Sequence, residues 1–256
     1  VRHGIWIWLG VVGLVATAWL MGLTPMPDPQ EPATATSGSQ AFAIPDSLNG
    51  WKRLDEATLA FRGRIREGTG RRMASMLDNE VDTLVITSRG GRVSSGVRMG
   101  ELVLEHDLDV IVERYCLSSC ANYVFLASEP KVIRMGIVGF HGNITHSIRQ
   151  AGGPEARAEE MASQTPRSKE ELASWLSERI EMEQSLIRRI GVPQDFYAMT
   201  ASMLTERNQG SDAAYDYLLP SMATFAEYGI TGIQGQQSET WKRRAQQQLE
   251  VKMTIY

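Results

Sequence analysis

The sequence predicts an α/β domain built on a largely parallel sheet. The β-branched run Thr83-Leu84-Val85-Ile86-Thr87 and the run Leu108 to Val112, with V-I-V at its centre, read as strands. A further strand-like segment, Ala57 to Ile65, precedes them, and helix-length stretches separate all three. Strands joined by helices return in the same direction through right-handed crossovers, which makes neighbouring strands parallel. With 256 residues, 43% hydrophobic and 22% charged, the chain has an ordinary globular composition. Its 26 Lys+Arg and 30 Asp+Glu give a net charge of -4, which speaks against nucleic acid or anionic lipid as a whole-chain partner. Two cysteines are too few for a disulfide-rich scaffold or a four-cysteine zinc site.

From Gly4 to Gly22 no residue is charged, and the run is dominated by Ile, Val, Leu and Trp. A helix of roughly 20 such residues spans about 30 Å, the hydrocarbon thickness of a bilayer. Arg2 and His3 precede the run and Asp28 and Glu31 follow it, an asymmetry that leaves the N-terminus cytoplasmic and exports the rest. Residues 1–23 are therefore expected to be a membrane anchor or a signal peptide cut near Ala16-Thr17-Ala18. The apolar run continues past that site, which favours the anchor. Residues 24–46, rich in proline and small polar residues, read as an extended linker. An exported domain over 47–233 follows, and 234–256 reads as a C-terminal helix or a loose tail.

Within that domain the strand over Ala57 to Ile65 stops at Glu67-Gly68, and a helical stretch runs near Gly70 to Leu77. Gly90-Gly91 ends the Thr83 strand; Val97, Leu102, Val103 and Leu104 fit a helix before the Leu108 strand. C-L-S-S-C leads into a small-residue helical stretch from Ala121 to Ala127, then a run from Val132 to Phe140 broken by Gly136 and Gly139. Ser168 and Glu171 form a capping box before Leu172, Trp175, Leu176, Ile180, Leu186, Ile187 and Ile190, and Gly191 and Pro193 end that helix. Its apolar stripe is read as packing.

Three places can carry chemistry. A glycine pair at a strand end, Gly90-Gly91 in T-S-R-G-G-R-V, lets backbone N–H groups face open space and suits an oxyanion, although a tight turn explains it equally well. In Y-C-L-S-S-C-A-N-Y a serine, Ser118 or Ser119, stands at a strand-to-helix junction, where it serves as nucleophile or as helix cap. In G-F-H-G, His141 follows an apolar run and is flanked by Gly142. Of the other histidines, His3 precedes the apolar run and His106 lies in an acidic turn. His141 and His146 lack a carboxylate or cysteine at ligand spacing, so no metal and no cofactor is expected.

The order Gly-Gly, Ser, His, each after a predicted strand, resembles the Clp-type serine peptidases of the crotonase superfamily. T-S-R-G-G-R-V-S-S-G is similar to their oxyanion turn, S-C-A-N-Y-V-F-L-A to the nucleophile and its helix, and V-G-F-H to the strand ending in the base. F-A-E-Y-G-I at residues 225 to 230 is similar to the segment that follows their acid. The resemblance covers about Leu54 to Ile233 and is closest to an exported, membrane-anchored branch; signal peptide peptidase A is a further relative. It implies repeated β-β-α or βαβ units and peptide hydrolysis through an acyl-enzyme.

Aligning Phe125-Leu126-Ala127 with the family's helix implies Ser119 as nucleophile, with Ser118 one position early. The base is then His141 and the oxyanion donors are the N–H groups of Gly91 and Cys120. Gly90, Arg92, Val93, Gly142 and Asn143 would line the substrate's path. Asp216 is the implied acid, at a spacing one residue longer than the family's, and Asp212 and Asp195 stay open. Arg89 stands where the family has proline. The implied partners are a peptide or protein substrate, the membrane and further copies of the chain in a homo-oligomer. A bridge between Cys116 and Cys120 and two free thiols both stand open, and Cys120 as nucleophile fits less well than as oxyanion donor. Two alternatives are a serine–lysine peptidase using Lys131 or Lys169 and an inactive relative that binds peptides. Export makes an acyl-CoA enzyme the less fitting reading.

Overall fold

A computed structural model describes residues 43–209 and 214–256. The apolar run, residues 1–42 as a whole and Asp212 lie outside the described residues. Among the described residues no helix is long and apolar enough to cross a membrane. The chain divides after Ser39, and the second unit, Gln40–Tyr256, carries the fold.

The mixed α/β architecture with a largely parallel sheet is present. β1 (Gly50–Arg53) pairs antiparallel with β2 (Thr58–Arg62), placing Trp51 opposite Phe61 with ring centroids 4.7 Å apart. α1 (Thr69–Ala74), β3 (Thr83–Ser88), α2 (Val93–Glu105) and β4 (Asp109–Leu117) then alternate. A π-helix (Cys120–Phe125) follows, then β5 (Lys131–Ile133) and β6 (Ile137–Gly139). The helices α3 (Ile144–Gln150), α4 (Pro154–Ala162), α5 (Lys169–Ile190) and α6 (Gln194–Asn208) lead to β7 (Tyr217–Leu219), α7 (Met222–Glu227), β8 (Ile233–Gly235), α8 (Glu239–Leu249) and β9 (Met253–Ile255).

The main sheet runs β1-β2-β3-β4-β5-β8, with β6 also on β4, and every pair after the first is parallel. Leu84, Val85, Ile86, Val110 and Val112 are fully buried, as strands covered on both faces require. β4 is long enough to pair twice, with β5 through Val110 to Val112 and with β6 through Tyr115 to Leu117. Between those two strands the chain passes at Gly136, where a Cβ would lie 2.9 Å from the Arg114 carbonyl oxygen. The capping box at Ser168 forms as expected, and Gly191 closes α5 at φ 71°.

Several elements depart from the sequence reading. The end of the linker is docked: Ile44 is buried against Ala60 and Val85, its N–H donates to Glu113 at 3.0 Å, and Asp46 pairs with Arg62 and Arg114. β1 was hidden by its neighbourhood of polar residues. Of the helix and loose tail left open for residues 234–256 the helix α8 forms, while β9 after it was not expected and pairs in parallel with β7, Tyr217 opposite Met253. The stretch after C-L-S-S-C is a π-helix, with Leu126 N–H bonding back five residues to the Ala121 carbonyl.

Candidate active site

Strand register assembles the site. In the β4–β6 pair Leu117 lies opposite Gly139, and the Ser118 N–H donates to the Gly139 carbonyl at 2.9 Å. The residues just past both strand ends therefore meet, and His141 Nε2 lies 2.7 Å from Ser118 Oγ. Phe140 is fixed by its two backbone bonds with Leu218, at 2.8 and 2.9 Å, which ties His141 to β7. Tyr217 of that strand packs edge-on against the imidazole, centroids 5.4 Å apart. Ser118 has φ 55°, a left-handed conformation uncommon for serine, at the junction between β4 and the π-helix. Such a turn lifts the hydroxyl off the sheet end, and non-glycine residues in that region concentrate at functional sites.

Ser119 is placed differently. It is buried, and its hydroxyl donates to the Gly91 carbonyl at 2.9 Å. The structure brings Ser118, not Ser119, to His141. The alignment of Phe125-Leu126-Ala127 that implied Ser119 is thus one residue off from the serine that meets His141, and the turn between them is a π-helix, whose hydrogen bonds span five residues rather than four. The N–H following the His-paired serine is accordingly that of Ser119 rather than Cys120.

The glycine pair lies against this junction. A Cβ on Gly90 (φ +76°) would meet Leu117 O at 2.4 Å, Ser119 N at 2.8 Å and Ser118 Cβ at 2.9 Å, so the close approach needs glycine. Gly90 N–H donates to Ser88 Oγ at 3.1 Å and its carbonyl accepts from Ile65. Among the described residues the N–H groups of Gly91 and Ser119 have no hydrogen-bond partner. Cys116 and Cys120, both buried, are joined in a disulfide that encloses Leu117-Ser118-Ser119, so neither is a free thiol.

Burial lowers the His141 pKa below its ordinary value, and the charge of Asp216 raises it in part. His141 is exposed, but it lies on the wall of a concave cleft whose surrounding atoms limit solvation of a cation there. Asp216 lines the same cleft, but its carboxylate accepts from Lys252 N–H at 2.8 Å and makes no hydrogen bond to His141. Asp195 begins α6 and does not line the cleft. Lys131 is bound to Glu129 and the Thr231 carbonyl, and Lys169 to Glu159, so neither lysine reaches a serine of this site.

The cleft has a volume of about 550 Å³, and Gly91, Val93, Ser118, His141, Gly142 and Asn143 are on its wall. Gly142 is held from both sides, its carbonyl by Asn122 Nδ2 at 2.8 Å and its N–H by Thr200 Oγ1 at 3.1 Å. Asn143 caps α3 by accepting from His146 N–H at 2.8 Å. Arg92 flanks the glycine turn, exposed and paired with Glu67. Among the described residues no group of three or more His, Cys, Asp or Glu side chains is placed to hold a metal ion.

Sequence reasoning missed Glu183. This fully buried carboxylate on α5 accepts from the Tyr123 hydroxyl and from the N–H groups of Ile144 at 3.2 Å and Thr145 at 2.8 Å. It clamps the start of α3, the segment that follows the histidine, to the helix behind the serine. The signal was legible: Glu183 stands seven residues after Leu176 and four before Ile187, on the apolar stripe.

No family model and no curated protein matches the chain. Among solved structures it is similar to a point mutant of ClpP1 from Listeria monocytogenes, with TM-score 0.41 and 14% identity over 73% of this chain and 94% of that one. It is also similar to ClpP1 from the same organism, with TM-score 0.30 and 18% identity over 46% of this chain and 76% of that one.

Proposed function

We propose that the chain is a serine peptidase in which Ser118 is the nucleophile and His141 the general base. The observation that carries this reading is the 2.7 Å contact between His141 Nε2 and Ser118 Oγ, made by a serine in left-handed backbone geometry at the wall of an open cleft. His141 takes the hydroxyl proton as Ser118 attacks the substrate carbonyl. The oxyanion is received by the N–H groups of Gly91 and Ser119; loss of one such donor typically costs about 10²–10³ in turnover. The imidazolium then protonates the leaving amine, and a water deprotonated by His141 releases the acyl group. Asp216 contributes charge that favours the imidazolium.

The resemblance of the three sequence segments to Clp-type peptidases supports a peptide as the acyl donor. The substrate would pass between Arg92-Val93 and Gly142-Asn143. The same reading keeps residues 1–23 as an anchor, the domain outside the cytoplasm, and the chain as a homo-oligomer.

A fluorophosphonate probe tests it. The full chain should be labelled on Ser118, and Ser118→Ala should abolish labelling and peptide hydrolysis together. A folded protein that no serine-directed probe modifies would instead favour a peptide-binding relative without catalysis, a reading that the Lys252-bound pose of Asp216 supports.

A further inference from the structure

A second cavity of about 310 Å³ adjoins the cleft, and the two share Gly91, Val93 and Ile144 as a common wall. Its remaining lining is cationic and aromatic: Arg64, Arg92, Arg179 and Trp175, with Ser94. Arg179 stacks over the Trp175 ring at 5.1 Å, and Arg167 stacks over the same ring at 5.8 Å, so these guanidinium groups are held beside the groove by cation–π contact. Among the described residues neither Arg64 nor Arg179 has a carboxylate within salt-bridge distance. Arg92 has one, Glu67, with both side chains more than half exposed at 58% and 69%. An exposed pair of that kind contributes at most about 1 kcal/mol and opens readily to a competing anion.

The charges of Arg64 and Arg89 both act on the Tyr217 phenol, which packs against His141. Among the described residues Asp216 is the sole carboxylate lining the main cleft, and it does not line the arginine cavity. A chain whose net charge is -4 thus concentrates unpaired arginines along one continuation of its cleft.

We infer that the cleft selects acidic peptides, gathering glutamate or aspartate side chains near the scissile bond onto Arg64, Arg92 and Arg179. This rests on the peptidase reading for the bond that is cut, and on the arginine cavity alone for what binds. Each guanidinium offers a planar fork matched to a carboxylate, and three of them around one groove add their fields there.

The test is equilibrium binding to the full Ser118→Ala chain in detergent, followed by fluorescence anisotropy. Two fluorescein-labelled peptides are compared, one alternating alanine with glutamate and one alternating alanine with glutamine. The glutamate peptide should bind about tenfold more tightly at low ionic strength, and added salt should shrink the difference. In an Arg64→Gln/Arg179→Gln chain, checked for folding by circular dichroism, the preference should disappear. Equal affinities, absence of binding by both peptides, or a preference that survives the double substitution overturns the inference. If the double variant does not fold, a preference insensitive to salt overturns it. Because binding is read without turnover, a chain that prefers glutamate yet resists every fluorophosphonate loses the peptidase reading and keeps the acidic groove. A reactive chain indifferent to glutamate does the reverse.

Discussion

Ser119 donates its hydroxyl to the Gly91 carbonyl at 2.9 Å, so the serine beside the proposed nucleophile holds the glycine turn in place. Ser119→Ala should lose that bond at a cost of about 1 kcal/mol and still be labelled on Ser118. Gly90→Ala should behave in the opposite sense. Its new methyl would press on Leu117 O and Ser118 Cβ, at 2.4 and 2.9 Å, and displace the nucleophile. Labelling should slow at least about tenfold, since misplacement on the order of 1 Å costs about 10² in rate. Denaturant unfolding and probe kinetics on the two variants check both expectations, and loss of labelling in Ser119→Ala would return the nucleophile to Ser119.

The proposed hydrolysis needs neutral His141, whose pKa burial holds below its ordinary value against the raising charge of Asp216. The acid limb of the kcat/KM profile should therefore lie below about pH 6.5. Asp216→Asn removes the raising influence, so the limb should move to still lower pH. The plateau should fall on the order of tenfold, far short of the roughly 10⁴ lost with an oriented triad acid. A limb that moves upward in that variant contradicts the assignment.

The disulfide closes a short loop around Ser118. Loop-closure entropy for so few residues gives about 2 kcal/mol of stability. A Cys116→Ala/Cys120→Ala chain should lose roughly that amount, and its labelling rate should fall because the strained turn at Ser118 is no longer pinned on both sides. Unfolding curves paired with labelling rates at equal folded fraction separate the two effects.

Glu183 satisfies three donors in a site closed to water. Glu183→Leu leaves the Tyr123 hydroxyl and two main-chain N–H groups unpaired and should cost about 3 kcal/mol or more. Glu183→Gln keeps an acceptor but turns an amide donor toward donors, at about 1–3 kcal/mol. Unfolding midpoints in urea measure both; a neutral effect of Glu183→Leu would mean that the clamp does not form.

The elements that sequence reading recovered are those whose signal is local. β3 and β4 announce themselves through consecutive β-branched residues, and α5 through a capping box at Ser168 and a left-handed stop at Gly191. The serine's register was not legible, because a π-helix and an α-helix share composition and differ in which carbonyl each N–H selects. The pairing of β7 with β9 joins residues 36 apart through backbone bonds such as Asp216 N–H to the Lys252 carbonyl, which no side-chain pattern encodes. His141 and the glycine pair were found because glycines at strand ends mark close approaches in any fold. The arginine cavity was invisible for a different reason: Arg64, Arg92 and Arg179 come from three segments that meet only after the sheet and α5 have packed.

Lys252 anchors Asp216 twice, accepting from its N–H through the main-chain carbonyl and donating to its carboxylate, at 2.8 Å each. A movement of the segment at Lys252 would therefore re-aim a negative charge at the His141 imidazole from outside the cleft. Freeing that carboxylate to approach His141 would lift the ring's titration midpoint, a change that proton NMR of the imidazole would register without any substrate present.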